Sequence, residues 1–103
     1  DRLAGPALLA HVRTNGEWLG AELRAMAERT GRVRDVRGTG YMWGVDVTCP
    51  ASTVVAAAME RGLLLITAGE HTLRLLPPLV ATRDELARGV GIIEDAVGTA
   101  CSR

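Results

Sequence analysis

The spacing of apolar residues in this chain switches repeatedly between two periods, and that switching limits the fold more than any other feature. In residues 5–31, Leu9, Val12, Gly16, Leu19, Leu23 and Met26 recur at steps of 3, 4, 3, 4 and 3. Such steps draw one stripe along an α-helix. Pro6 suits the first turn, where a missing N–H costs nothing, and Gly31 offers a left-handed stop. Gly16 weakens the helix middle by about 1 kcal/mol relative to alanine, which points to close contact with another backbone.

Residues 32–48 follow a period of two. After Val33 and Val36, Met42, Gly44 and Asp46 alternate with Trp43, Val45 and Val47. Two strands turning at Gly38–Gly40 are predicted, with Asp46 facing solvent. Residues 50–62 then read as a short helix capped by Ser52 or Thr53 and stopped by Gly62, with Val54, Val55, Ala58 and Met59 inward. Residues 63–67, "LLLIT", read as a buried strand. After a turn, residues 72–77, "TLRLLP", return antiparallel until Pro77 and Pro78, which have no N–H to donate, end the ladder.

The last segment opens with a capping box, Thr82 with Glu85, and Asp84 and Glu85 suit the positive end of a helix dipole. Leu86, Val90, Ile93 and Val97, at steps of 4, 3 and 4, form its buried stripe. The order helix, two strands, helix, two strands, helix specifies an α+β fold: a small, mostly antiparallel sheet with helices packed on one face. Residues 1–103 form one domain on this reading.

Composition narrows the function classes. Hydrophobic residues make up 48% of the chain, which argues against disorder. Twelve basic and twelve acidic residues are scattered without a basic block, so nucleic acid is not an expected partner. The apolar runs fall far short of the ~18 residues that span a bilayer, and the N-terminus shows no signal-peptide pattern. A cytoplasmic protein is expected, with Cys49 and Cys101, which lack metal-type spacing, as free thiols in a reducing compartment. Every basic residue is arginine. Without lysine, the chain has no side-chain amine for Schiff-base chemistry.

Few residues invite a chemical role. "RGTGYMWG" has three glycines in its eight residues, but the spacing is not G-x-G-x-x-G and a strand follows it, so a tight turn is expected rather than a phosphate cradle. Glu70 and His71 could pass a proton but have no nucleophile nearby in sequence, and a solvated turn is expected. His11 has Asn15 rather than a ligand four residues on, and Trp18 and Trp43 are read as packing residues.

Arg74 is different, because it interrupts an apolar run, "HTLRLLPPL". A guanidinium in such a place reaches water or meets an anion. One reading is an edge-strand arginine extended into solvent; the other is a fork gripping a carboxylate through two parallel N–H···O bonds.

The stretches "VRDVRGTGYMWGVDV" and "AMERGLLLITAGEHTLRLLPPLVATRDEL" resemble the C-terminal small domain of class III, pyridoxal-phosphate-dependent aminotransferases, above all the acetylornithine branch. The likeness follows an R-G-x-G-hydrophobic-Met-x-G element, a Gly-Leu-Leu helix end and a Leu-Arg-hydrophobic-x-Pro-Pro-Leu segment, in order. Tyr41 and Trp43 depart from it, standing where the family more often has aliphatic or small residues. The resemblance implies a fold-type I transferase that moves an amino group from an amino acid to a 2-oxo acid, commonly 2-oxoglutarate. It gives Arg74 the substrate carboxylate, pyridoxal 5'-phosphate to the full-length enzyme and none to this chain, and a homodimer as the assembly. It also implies that the chain is a fragment, inactive without a cofactor-binding large domain. A free-standing α+β module that binds a carboxylate without catalysis is the competing expectation.

Overall fold

The computed structural model describes residues 5–75, 77 and 81–101. Three helices, α1 (Gly5–Thr30), α2 (Ala51–Glu60) and α3 (Arg83–Ala100), pack on one face of a four-stranded sheet. The strands are β1 (Val33–Thr39), β2 (Met42–Val47), β3 (Ile66–Thr67) and β4 (Thr72–Leu75). All pairings are antiparallel, in the order β1-β2-β4-β3. The α+β expectation holds.

Alternation along β2 and β4 divides the sheet into two faces. Trp43, Val45, Val47, Leu73 and Leu75 are buried beneath the helices, together with Leu19, Leu23 and Met26 of α1 and Leu86, Val90, Ile93 and Val97 of α3. Each large apolar side chain so enclosed contributes about 1.5–3 kcal/mol. Leu9, assigned to the α1 stripe, is 67% exposed instead, because the buried part of the helix begins at Gly16.

Two glycines one turn apart bring α1 against the β1–β2 hairpin. A Cβ on Gly16 would collide with the Gly40 carbonyl, and one on Gly20 with the Trp43 ring. The expected backbone contact at Gly16 is therefore with the hairpin turn. Trp43 is locked there: its indole Nε1–H donates to the Gly40 carbonyl at 2.6 Å. Tyr41 is also buried, and its hydroxyl donates to the Ala81 carbonyl at 3.3 Å, tying the hairpin to the approach to α3. At the head of α3 the capping box closes in both directions, Glu85 N–H to Thr82 Oγ1 and Thr82 N–H to Glu85 Oε1.

Four further expectations are corrected. Pro50, with no side-chain cap, occupies the N-cap of α2, because Thr53 turns its hydroxyl back onto the Pro50 carbonyl at 2.6 Å. Met59 is 57% exposed, and the small residues Ala51, Ala57 and Ala58 join Val54 on the inner face of α2. Residues 63–67 yield only a two-residue strand, Ile66–Thr67, with both side chains exposed. Cys49 and Cys101 are joined in a disulfide, with Cα atoms 5.2 Å apart. Cys49 lies just before α2 and Cys101 caps α3, so packing these helices together brings two distant thiols within bonding reach. No spacing along the chain measures that approach.

Candidate functional site

The face of the sheet away from the helices carries the polar side chains of the same strands. Register places Arg37 of β1, Gly44 of β2, Arg74 of β4 and Ile66 of β3 in one row across the sheet. Arg74 thus lies on an internal strand, not at an edge. Its side chain is exposed, and among the described residues it makes no ion pair or side-chain hydrogen bond. Its neighbours in sequence, Leu73 and Leu75, point the other way into the core. β4 ends at Leu75, before Pro77; Leu76 and Pro78, part of the expected strand and its stop, lie outside the described residues.

Arg37 is held where Arg74 is free. Its Nη1 donates to Asp46 Oδ2 at 2.9 Å and to Asp35 Oδ2 at 3.1 Å. Thr72 donates its hydroxyl to the other oxygen of Asp46 at 2.7 Å. The Arg37 hydrogen bond first, and the Thr72 hydrogen bond second, hold the Asp46 carboxyl below its ordinary range. The same bond to Asp46, with the weaker one to Asp35, raises the pKa of the Arg37 guanidinium. Asp46, expected to face solvent, is half-buried by these partners. Arg37, Met42, Gly44, Ala68, Thr72 and Arg74 surround a shallow cavity of about 250 Å³ above the sheet.

The other candidates serve the fold. The His71 Nδ1 lies 3.0 Å from the Cys49 carbonyl, which can only accept, so that nitrogen carries the proton. The Val47 N–H donates to the His71 carbonyl and the Ala51 N–H to the Glu70 carbonyl, so this turn is pinned to the head of α2 rather than solvated throughout. His11 Nε2 is 3.2 Å from the Ala81 carbonyl. Trp43 is buried, and Trp18 is half-buried with Arg83 5.3 Å above its ring. The glycine motif turns from β1 into β2, so no helix N-terminus points at an anion there. The sequence singles out Arg74 as a candidate but not the row it stands in. The signal was the shared parity of Met42, Gly44 and Asp46, which becomes a surface only once register places Arg37 and Arg74 beside it.

Residues 1–97 match the family Aminotransferase class-III. Acetylornithine aminotransferase of Streptococcus mutans is 35% identical over 95 residues, covering 92% of this chain and 25% of that protein. The Synechocystis acetylornithine aminotransferase is 37% identical over 102 residues, covering 94% and 24%. The crystal structure of N-acetylornithine aminotransferase from Stenotrophomonas maltophilia superposes with a TM-score of 0.87 at 27% identity, covering 96% of this chain and 28% of that one. The chain belongs to the class III aminotransferase family, and it spans about a quarter of the length of the curated relatives it matches.

Proposed function

We propose that this chain is the small domain of a longer aminotransferase that moves an amino group from acetylornithine, ornithine or a related ω-amino compound to a 2-oxo acid such as 2-oxoglutarate. In this reading Arg74 grips the substrate carboxylate. The observation that carries it is a guanidinium without an ion pair among the described residues, on the exposed face of an internal strand and backed by packed leucines. The leucines fix the strand beneath it, so the fork is presented without the loss of order that a mobile loop would carry. Family membership favours this reading over a free-standing carboxylate-binding module.

Pyridoxal phosphate, which the family implies, does not fit the residues of this chain. There is no lysine to hold it, and the glycine turn offers no helix N-terminus to its phosphate. When bound, the cofactor would supply an electron sink for amino-group transfer, and we assign its site to the rest of the parent enzyme. This chain contributes orientation: two parallel bonds from Arg74 to a carboxylate fix both the position and the plane of the bound acid. A homodimer in the cytoplasm completes the reading. No described helix is long and apolar enough to cross a membrane.

Arg74→Lys in the full-length enzyme tests the grip, because a point charge replaces a planar fork. KM for the carboxylate substrate is expected to rise about tenfold or more, with kcat changed less. An unchanged KM across a panel of amino donors and 2-oxo acids would remove Arg74 from the site.

A further inference from the structure

Gly44 stands in the middle of an internal strand, where glycine is destabilising by roughly 0.5–1 kcal/mol relative to alanine. Nothing within the described fold requires it. Its φ lies outside the left-handed region, and a Cβ built there would meet its nearest neighbours, the Arg37 carbonyl oxygen, Arg37 Cζ and the Leu73 carbonyl oxygen, at 3.8, 3.9 and 3.9 Å. Those are ordinary contacts. Gly16 and Gly20, by contrast, abut atoms that leave no room for a side chain. The register is unbroken at Gly44, so the glycine marks no bulge, and the other use of a bare strand position is the close approach of a ligand or another backbone.

The row across the sheet says what approaches. Gly44 separates Arg37 on one side from Arg74 on the other. Two strand spacings put those two Cα atoms roughly 10 Å apart, with no side chain between them. The Arg37 guanidinium lies along the glycine, anchored by Asp46 and Asp35 through Nη1 alone, while Arg74 makes no ion pair among the described residues. Met42 and Thr72 close the trough at its ends.

We propose that Gly44 is a specificity-determining residue: its missing side chain is the floor over which the substrate carboxylate reaches Arg74, with the anchored Arg37 as the opposite wall. The inference rests on the carboxylate-gripping reading of Arg74 and adds the residue that sets how deep the acid can sit. A methyl group on the floor lifts the carboxylate away from the fork, and a branched side chain also displaces Arg37. The residue itself makes no bond to substrate; it acts by leaving space.

The test uses the full-length enzyme with Gly44→Ala, Gly44→Val, Arg74→Lys and the double variant Gly44→Ala/Arg74→Lys. Readouts are KM and kcat, competitive inhibition by glutarate, which carries carboxylates but neither amine nor ketone, and Tm. Gly44→Ala is expected to keep Tm within about 2 °C, because strand alanine is tolerated at ordinary contact distances. It should raise both KM and the glutarate Ki about tenfold, with kcat changed less. Gly44→Val should raise them further, and the double variant should be little worse than Arg74→Lys, since both changes weaken one contact. If Arg74→Lys raises KM while Gly44→Ala leaves KM and Ki unchanged, the trough is refuted and the Arg74 reading stands. If neither change moves KM, the Arg74 reading falls and this inference with it. If Gly44→Ala lowers Tm by many degrees, the glycine serves packing and the inference is overturned.

Discussion

The two faces of the sheet are built from the same few residues of β2 and β4, taken alternately, yet they solve different problems. On the covered face, Trp43, Val45, Val47, Leu73 and Leu75 are interlocked with three helices. On the open face, Met42 and Arg74 are exposed, Gly44 has no side chain, and Asp46 and Thr72 join Arg37 in a polar network. Folding free energy is concentrated on one side, which leaves the other side free to hold an unpaired cation. A strand permits this division because its side chains alternate between faces.

Truncating neighbouring residues of β4 tests this division of the two faces most severely. Leu73→Ala removes a side chain that is 1% exposed and should cost about 2–5 kcal/mol, the range for a buried leucine. Arg74→Lys, one residue on, should change stability by less than about 0.5 kcal/mol. Denaturant melts of the two variants give both values. Comparable losses would mean that the open face also carries the fold.

The Cys49–Cys101 bridge belongs to the covered side, where it ties together the ends of two helices. It closes a loop spanning a sequence separation of 52, for which constraint of the unfolded chain predicts about 4 kcal/mol. Cys49→Ser, or full reduction, should lower Tm accordingly and leave the KM of the parent enzyme unchanged. Thiol trapping at the moment of lysis shows whether the bridge exists where the protein works. A disulfide trapped intact would count against a reducing cytoplasm.

What could be read from the sequence was the local part. The α3 stripe, its capping box and the inward parity of Trp43, Val45 and Val47 follow from spacing alone, and the structure shows each of them. Gly16 was legible as a contact because glycine in a helix needs a reason. Across the sheet, spacing ran out. Register between β2 and β4 decides that Arg74 faces Gly44 and lies on an internal strand, and no local pattern encodes that pairing. The approach of Cys49 to Cys101 depends in the same way on how α2 and α3 pack. The shortening of β3 has another cause: "LLLIT" is apolar enough for a buried strand, but only Ile66 and Thr67 find a ladder partner, in Arg74 and Leu73.

The smallest expected effect concerns Asp46, and its sign follows from its partners. Arg37 and then Thr72 hold its carboxyl below the ordinary range in the folded chain. An unfolded aspartate titrates near pH 3.9, so at higher pH the folded state gains from keeping Asp46 charged. That gain disappears as pH falls through the lower folded value. Glu94, lowered chiefly by its hydrogen bond from Arg29, adds a second loss in the same direction, so the wild-type acid limb reports both groups. Asp46→Asn isolates one of them: it should be slightly less stable than wild type at neutral pH, and the gap should close as pH falls through that lowered value. The gap should be small because solvent reaches both Arg37 and Asp46 and screens their attraction. A loss as large as that of Leu73→Ala would place folding energy on the open face and undo the division. A small loss together with a changed glutarate Ki in the parent enzyme would show that the pair holds the wall of the trough rather than the fold.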